Sequence, residues 1–248
     1  MSITNQNKRI IKMAKTFQAL SYWPFYSILK FFTHYKVYGQ ENLKGLEKGP
    51  IIFASNHASY VDGPICAAAM PRYKGELYPK TLFPIRFLAS GRYFKWQYFP
   101  ISWYVHLNGS IKVWKGTGRP LKEVLKETII ALNNNQHVWI YPEGKRTPDG
   151  RLGQGKRGVA CLHQETGAPI VPVAIKSTLD VLSPKTLLGT KILTAHIGKP
   201  IYSLGNVSLE EGTAKVMQAI GEVFDQENST SQATKQPTQK PSLNDIIH

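Results

Sequence analysis

Acidic residues are the first thing this chain goes without. None precedes Glu41, although Lys8, Arg9, Lys12, Lys15, Lys30 and Lys36 all fall in that stretch. Over 248 residues, 31 Lys and Arg outnumber 16 Asp and Glu, for a net charge of +15. The imbalance points to polyanionic partners: nucleic acid, an anionic membrane surface or a phosphorylated substrate. Cues for the first are missing, with no helix-turn-helix, zinc-ligand spacing or RNA-recognition motif, so no nucleic-acid partner is expected. Cysteine is scarce. Cys66 and Cys161 are too few for a disulfide framework, fit a reducing compartment, and sit in apolar helical settings where burial and inertness are expected. Long apolar runs are also lacking. The uncharged stretch 17–29 is interrupted by Pro24 and is shorter than the ~20 apolar residues needed to span a bilayer. No small-residue cleavage site follows it, so a signal peptide is not expected.

What is present reads as globular. Short apolar runs at 35–39, 50–55, 85–89, 109–113, 137–141, 170–175 and 191–198 alternate with helical patterns near 17–33, 62–70, 119–134, 156–167 and 208–226. This alternation predicts an α/β fold, a single domain with a mostly parallel central sheet flanked by helices. In 119–134 the 3.6-residue period puts Leu121, Val124, Leu125, Thr128, Ile129 and Leu132 on one side. The organisation predicted is an N-terminal segment (1–34), a domain (35–226) and a tail from 227 whose composition is that of disordered chain. In the first segment, aromatic residues flanked by lysines fit a helix lying in a membrane interface, with rings at headgroup depth and lysines on anionic lipid. A core-packing helix is the other reading.

Two polar clusters follow strand-like runs. The run Ile51-Ile52-Phe53-Ala54 leads to Asn56-His57-Ala58-Ser59-Tyr60-Val61-Asp62. Imidazole takes and returns a proton near neutrality, and a carboxylate can orient one ring nitrogen, so His57 and Asp62 are candidate base and orienting group. Five residues correspond to about 140° on a regular helix. The two can therefore meet only if His57 precedes the helix and Asp62 lies in its first turn, with Asn56 or Ser59 as candidate caps. A helix cap beside a polar loop would leave the same spacing. No second His or Cys stands at ligand spacing nearby, so no metal is expected.

The second run, 137–141, opens into Pro142-Glu143-Gly144-Lys145-Arg146. Two cations beside an acid at a strand end suggest an anion-binding corner, with Arg146 suited to bidentate phosphate contact. Glu143 either pairs with a cation or fixes the loop. The free N–H groups of a helix starting after Lys156-Arg157 could join that corner, while a solvated charged hairpin is the plainer alternative. Gly150 to Lys156 mimics P-loop spacing, but Arg157 occupies the magnesium-binding hydroxyl position and no strand leads in, so nucleotide hydrolysis is excluded.

Together these residues resemble the glycerolipid acyltransferase family typified by lysophosphatidate acyltransferase, over roughly 35–200. The first motif, N-H-x-x-x-x-D, is met by Asn56, His57 and Asp62, and the third, P-E-G-x-R, by Pro142, Glu143, Gly144 and Arg146. Ile170 to Ile175 meets the fourth, and Lys156 with Gly158 falls in the basic segment after the third. The second motif departs from the pattern. Gly109 is followed by apolar residues, but Lys115 stands near the usual arginine with no aspartate before it.

The resemblance implies acyl transfer from coenzyme A or acyl carrier protein to a lysolipid hydroxyl, that of lysophosphatidate first, at a membrane phospholipid surface, while the charge and the lack of a signal point to the cytoplasmic face of the inner or plasma membrane. His57 would be the base and Asp62 its orienting partner. Arg146, Lys115, Lys145 and Lys156, with Glu143 and Gly144, would form the substrate-binding set, and no cofactor beyond the thioester is implied. Ser59 as an acylated nucleophile is the minority alternative. Another lysolipid, such as a lyso-ornithine lipid, is the runner-up acceptor, and a non-catalytic membrane- or nucleic-acid-binding protein the remaining rival. Phe87, Leu88, Phe94, Trp96, Phe99 and Trp103 either line an acyl-chain tunnel or pack the core.

Overall fold

A computed structural model of the chain describes residues 3–114, 116, 118–179 and 192–233. Its elements in order are α1 (Ile3–Phe32), β1 (Lys36–Tyr38), β2 (Ile52–Ser55), α2 (Asp62–Ala68), β3 (Ile85–Ser90), α3 (Ile101–Leu107) and β4 (Ile111–Val113). There follow α4 (Leu121–Val124), α5 (Lys126–Asn133), β5 (His137–Ile140), α6 (Gly158–Thr166), β6 (Ile170–Lys176), β7 (Thr194–Ile197) and α7 (Leu209–Ala233). The seven strands form one sheet in the order β1-β7-β6-β2-β5-β3-β4. Every pairing is parallel except that of β6 with β7. The expected architecture is therefore present, and Lys115, the tail from 234 and the first residue of the 191–198 run lie outside the described residues.

β2 and β5 are buried along their whole length, which is why they read as unbroken apolar runs rather than alternating ones. Alternate side chains feed two cores. Phe53, Phe87, Trp139, Val171 and Val173 pack on the side of α1 and α2. Ile52, Ala54, Val138, Ile140 and Ile170 pack under α5 and α6. Gly39 turns the chain out of β1 with φ 75°, where a Cβ would lie 2.0 Å from the Ile197 carbonyl oxygen.

Three boundaries differ from expectation. α1 begins at Ile3 and runs through Pro24, although a proline inside a helix removes one bond at a cost of about 3 kcal/mol. Its inner face compensates. Ala14 and Gln18 are buried, the Gln18 amide bonds both N–H and C=O of Ile85, and Gly109 lets Ala14 approach within a distance a Cβ would block. α1 is thus both a docked layer of the domain and the carrier of an exposed outer face. The 119–134 pattern divides at Leu125, whose buried side chain faces the core between α4 and α5. α7 continues to Ala233, past the expected end at 226. Among the described residues no helix is long and apolar enough to cross a membrane.

His137 starts β5, at the end of the sheet opposite the residues treated below. Burial lowers its pKa from 6.5 to about 4, against opposing pulls from a bond to the Thr81 backbone and the charge of Glu47. The folded state therefore binds this proton less readily than the unfolded chain. Its contribution to stability is complete above about pH 6.5 and is lost as pH falls toward 4, an effect on the order of 3 kcal/mol. Urea titrations at pH 7 and pH 4 should show wild type losing more stability than His137→Gln, and equal losses would refute this.

Candidate active site

β2, β5 and β3 are parallel neighbours, so the loops after them emerge on one edge of the sheet, where parallel α/β sheets place their sites. Pairing of Ala54 with Ile140 sets the first and third motifs side by side. Asn56 is buried and exchanges two 2.8 Å bonds with the backbone N–H and C=O of Ile175, which extends the β2–β6 pairing through a side chain. It does not cap α2, and neither does Ser59. The residue before the helix is Val61, with no side-chain cap, and Ser59 Oγ accepts only a 3.4 Å bond from the Val61 N–H.

The carboxylate of Asp62 folds back instead. Its Oδ2 lies 2.8 Å from His57 Nδ1 and accepts bonds from the N–H groups of Ala58 and Ser59, also at 2.8 Å. Asp62 is 1% exposed and His57 22%. A buried carboxylate on Nδ1 fixes the tautomer in which Nδ1–H donates and Nε2 is left to accept a proton. The backbone solution foreseen from the spacing, His57 before the helix and Asp62 in its first turn, is the one adopted.

Tyr141 lies against the imidazole, with ring centroids 4.0 Å apart and planes 15° from parallel. Burial raises its phenol well above the ordinary range, so it presents a neutral aromatic face. Glu143 has a bracing geometry rather than a substrate-facing one. It is buried, Oε1 accepts the His57 N–H at 3.1 Å and Oε2 the Gly153 N–H at 3.2 Å. Burial raises its pKa, opposed by those two bonds. Gly144, at φ 67°, closes the turn with its N–H on the Tyr141 carbonyl, so that N–H is engaged within the loop. Thr147 completes the clasp, its N–H 2.8 Å from the His57 carbonyl oxygen.

Arg146 stacks on Tyr60, its Cζ 3.4 Å from the ring centroid, three residues beyond His57. Lys145 is exposed beside it. Lys156 goes elsewhere: its backbone N–H bonds the Pro142 carbonyl, and the residue borders a cavity of about 670 Å³ with Leu121, Arg157 and Met217. Neither His57 nor Arg146 lines that cavity, so the expected single basic corner is divided. The aromatic set divides too. Phe87 packs on Trp139 in the core, whereas Trp96, Phe99 and Trp103 are exposed.

A histidine oriented by a carboxylate, with a cation beside it at the third motif, is the arrangement those motifs imply, and residues 34–176 match the acyltransferase family. The chain belongs to that family. Among acyltransferase relatives, a chloroplastic 1-acyl-sn-glycerol-3-phosphate acyltransferase of Brassica napus is 25% identical over 84% of this chain and 55% of its own length. One from Saccharomyces cerevisiae is 27% identical over 71% of this chain and 55% of its own length. The chain thus spans about half the length of the curated relatives it matches. The crystal structure of PlsC, the 1-acyl-sn-glycerophosphate acyltransferase of Thermotoga maritima, shares the fold, with a TM-score of 0.60 and 21% identity over 96% of this chain and 85% of that one. Tyr141 is a neighbour of His57 that the motifs do not name. A strand-end aromatic beside the third motif was its only signal.

Proposed function

We propose that this chain transfers a fatty acyl group from a coenzyme A or acyl carrier protein thioester to the free hydroxyl of lysophosphatidate, forming phosphatidate. The observation that carries the reading is the 2.8 Å contact of His57 Nδ1 with buried Asp62, beside a stacked Arg146. The activity named for the Brassica and yeast relatives supports the acceptor.

In this mechanism His57 Nε2 takes the acceptor hydroxyl proton as the oxygen attacks the thioester carbonyl. Asp62 stabilises the imidazolium, and the proton returns to the departing thiolate. The thioester is already activated, so no acyl-enzyme, metal or prosthetic group is required, and Ser59 takes no covalent part. Tyr141 keeps the imidazole in its plane, and Glu143 holds the loops of the two motifs together. Arg146 binds the acceptor phosphate through the edge of its guanidinium, the face being occupied by Tyr60.

The lipid substrate gives the outer face of α1 a role. Leu20, Trp23, Ile28 and Phe31 are exposed there, with Lys8, Lys12 and Lys30 nearby in sequence. Phe17 carries this surface toward α3 through its edge contact with Trp103, 6.0 Å between centroids, and Trp96 and Phe99 are exposed in the segment just before that helix. This surface lies in the interface of an anionic bilayer, its rings at headgroup depth and its lysines on lipid phosphate. The basic charge of this segment supports the reading of a cytoplasmic membrane face.

An acceptor panel tests the assignment. Lysophosphatidate should be acylated, and Arg146→Ala should raise its KM about tenfold or more, the worth of one charge-assisted contact. Lysophosphatidylcholine or a lyso-ornithine lipid acylated faster than lysophosphatidate, with Arg146→Ala silent, would remove lysophosphatidate as the acceptor.

A further inference from the structure

Arg146 is not the only guanidinium held at this edge of the sheet. Arg92 follows β3 directly, in the short turn 91–94. Its Cζ lies 4.7 Å from the centroid of the Tyr93 ring, and its Nη2 donates a 2.8 Å bond to the Tyr93 hydroxyl. Tyr93 in turn meets Tyr60 edge to face, at 6.3 Å and 83°, and Tyr60 is the ring under Arg146. Loops after three parallel strands thus deliver two arginines to one tyrosine pair, beside His57.

The fields of both cations converge there. Burial alone would raise the Tyr93 phenol, yet its pKa falls, because Tyr60 and Arg92 bond it and the charges of Arg92 and Arg146 act on it. Neither Arg92 nor Arg146 has a carboxylate partner among the described residues, whereas Arg119, Arg151 and Arg157 each have one. Arg146 lies over the Tyr60 face and Arg92 commits one N–H to the Tyr93 hydroxyl; the remaining N–H groups of the two uncompensated guanidiniums are the donors that take phosphate oxygens.

We propose that Arg92 and Arg146, mounted on the Tyr60–Tyr93 pair, form one two-guanidinium site for a phosphate monoester dianion. The proposal rests on the acyltransferase reading for its substrates, which offer two such groups, the headgroup of the lysolipid acceptor and the 3′-phosphate of a coenzyme A donor.

The test pairs a binding measurement with kinetics on the full chain. Titration calorimetry with glycerol 3-phosphate and with 3′-phosphoadenosine is run on wild type, R92Q, R146Q and R92Q/R146Q. Far-UV spectra and thermal midpoints verify folding, which exposed Arg92 should not disturb. Each single variant should weaken one of the two probes about tenfold, and the double variant should lose less than the product, because both contact one group. KM with a coenzyme A thioester and with an acyl carrier protein thioester then assigns the source. A raised acceptor KM with either donor identifies the headgroup, and a raised KM confined to the coenzyme A donor identifies its nucleotide. Unchanged affinity and unchanged KM values in R92Q would overturn the site even if acyl transfer is intact. Loss of binding in R92Q from a protein that acylates nothing would sustain the site and overturn the acyltransferase reading instead.

Discussion

Replacing His57 with alanine should lower kcat by about a thousandfold while leaving the acceptor KM within a few-fold of wild type, because general-base catalysis contributes about 10²- to 10⁴-fold. The binding residues, headed by Arg146, are untouched by this change. Asp62→Asn should approach the same loss by another route. Oδ2 accepts Nδ1 of His57 and two backbone N–H groups. An amide turned to keep the N–H bonds offers a neutral oxygen to the imidazole, so the imidazolium loses its counter-charge. Thermal midpoints separate this from unfolding, since a buried carboxylate with three donors also stabilises the loop. Initial rates with both variants, on protein shown to be folded, check the claim. More than a tenth of wild-type kcat in His57→Ala would mean that another group takes the proton.

The second large effect concerns the membrane. Leu20, Ile28, Phe31 and Trp96 are between 51% and 81% exposed, so changing all four to serine should leave the fold intact. Each of these side chains gains about 1.5–3 kcal/mol when fully withdrawn from water. With partial immersion, the four together contribute about 3 kcal/mol, or about a hundredfold in partitioning. Flotation with vesicles containing anionic lipid should show that loss, and activity on a water-soluble short-chain acceptor should survive it. Undiminished flotation of a folded quadruple variant would show that a different surface meets the lipid.

The histidine and its carboxylate could be found in the sequence because the chemistry is local: a strand-like run, a loop and a helix start within twelve residues. The third motif was equally visible, as a polar cluster after a second run. Their joint geometry was not. Contact between His57 and Tyr141, or between the His57 N–H and Glu143, depends on β2 lying next to β5 in register, and adjacency in a parallel sheet leaves no trace in either segment. Glu143 therefore stood open between pairing with a cation, fixing the loop and joining the substrate-binding set, and its oxygens hold the backbone of the two motif loops. Arg92 was missed because a lone arginine in a turn carries no pattern.

Other differences have similar causes. Nothing in 119–134 breaks the helical period at Leu125, since neither Gly nor Pro stands there. The polar first half of α1 gave no helical signal, and what holds it is distant: Ala14 against Gly109. Trp96, Phe99 and Trp103 are apolar residues on a surface, a placement that hydropathy alone assigns to a core. The reversal of β7 against β6 follows residues outside those described.

One measurement reaches the central claim, direct attack by a lysophosphatidate hydroxyl activated by His57. Thiol release from a long-chain acyl-CoA, and separately from acyl carrier protein, is followed with and without lysophosphatidate, while mass spectrometry records phosphatidate and intact protein. Thiol release should depend on lysophosphatidate, match phosphatidate mole for mole, leave the protein unmodified and disappear in His57→Ala. A burst of thiol without acceptor, with an acyl group left on Ser59, or the absence of phosphatidate from folded protein with either donor, would contradict it.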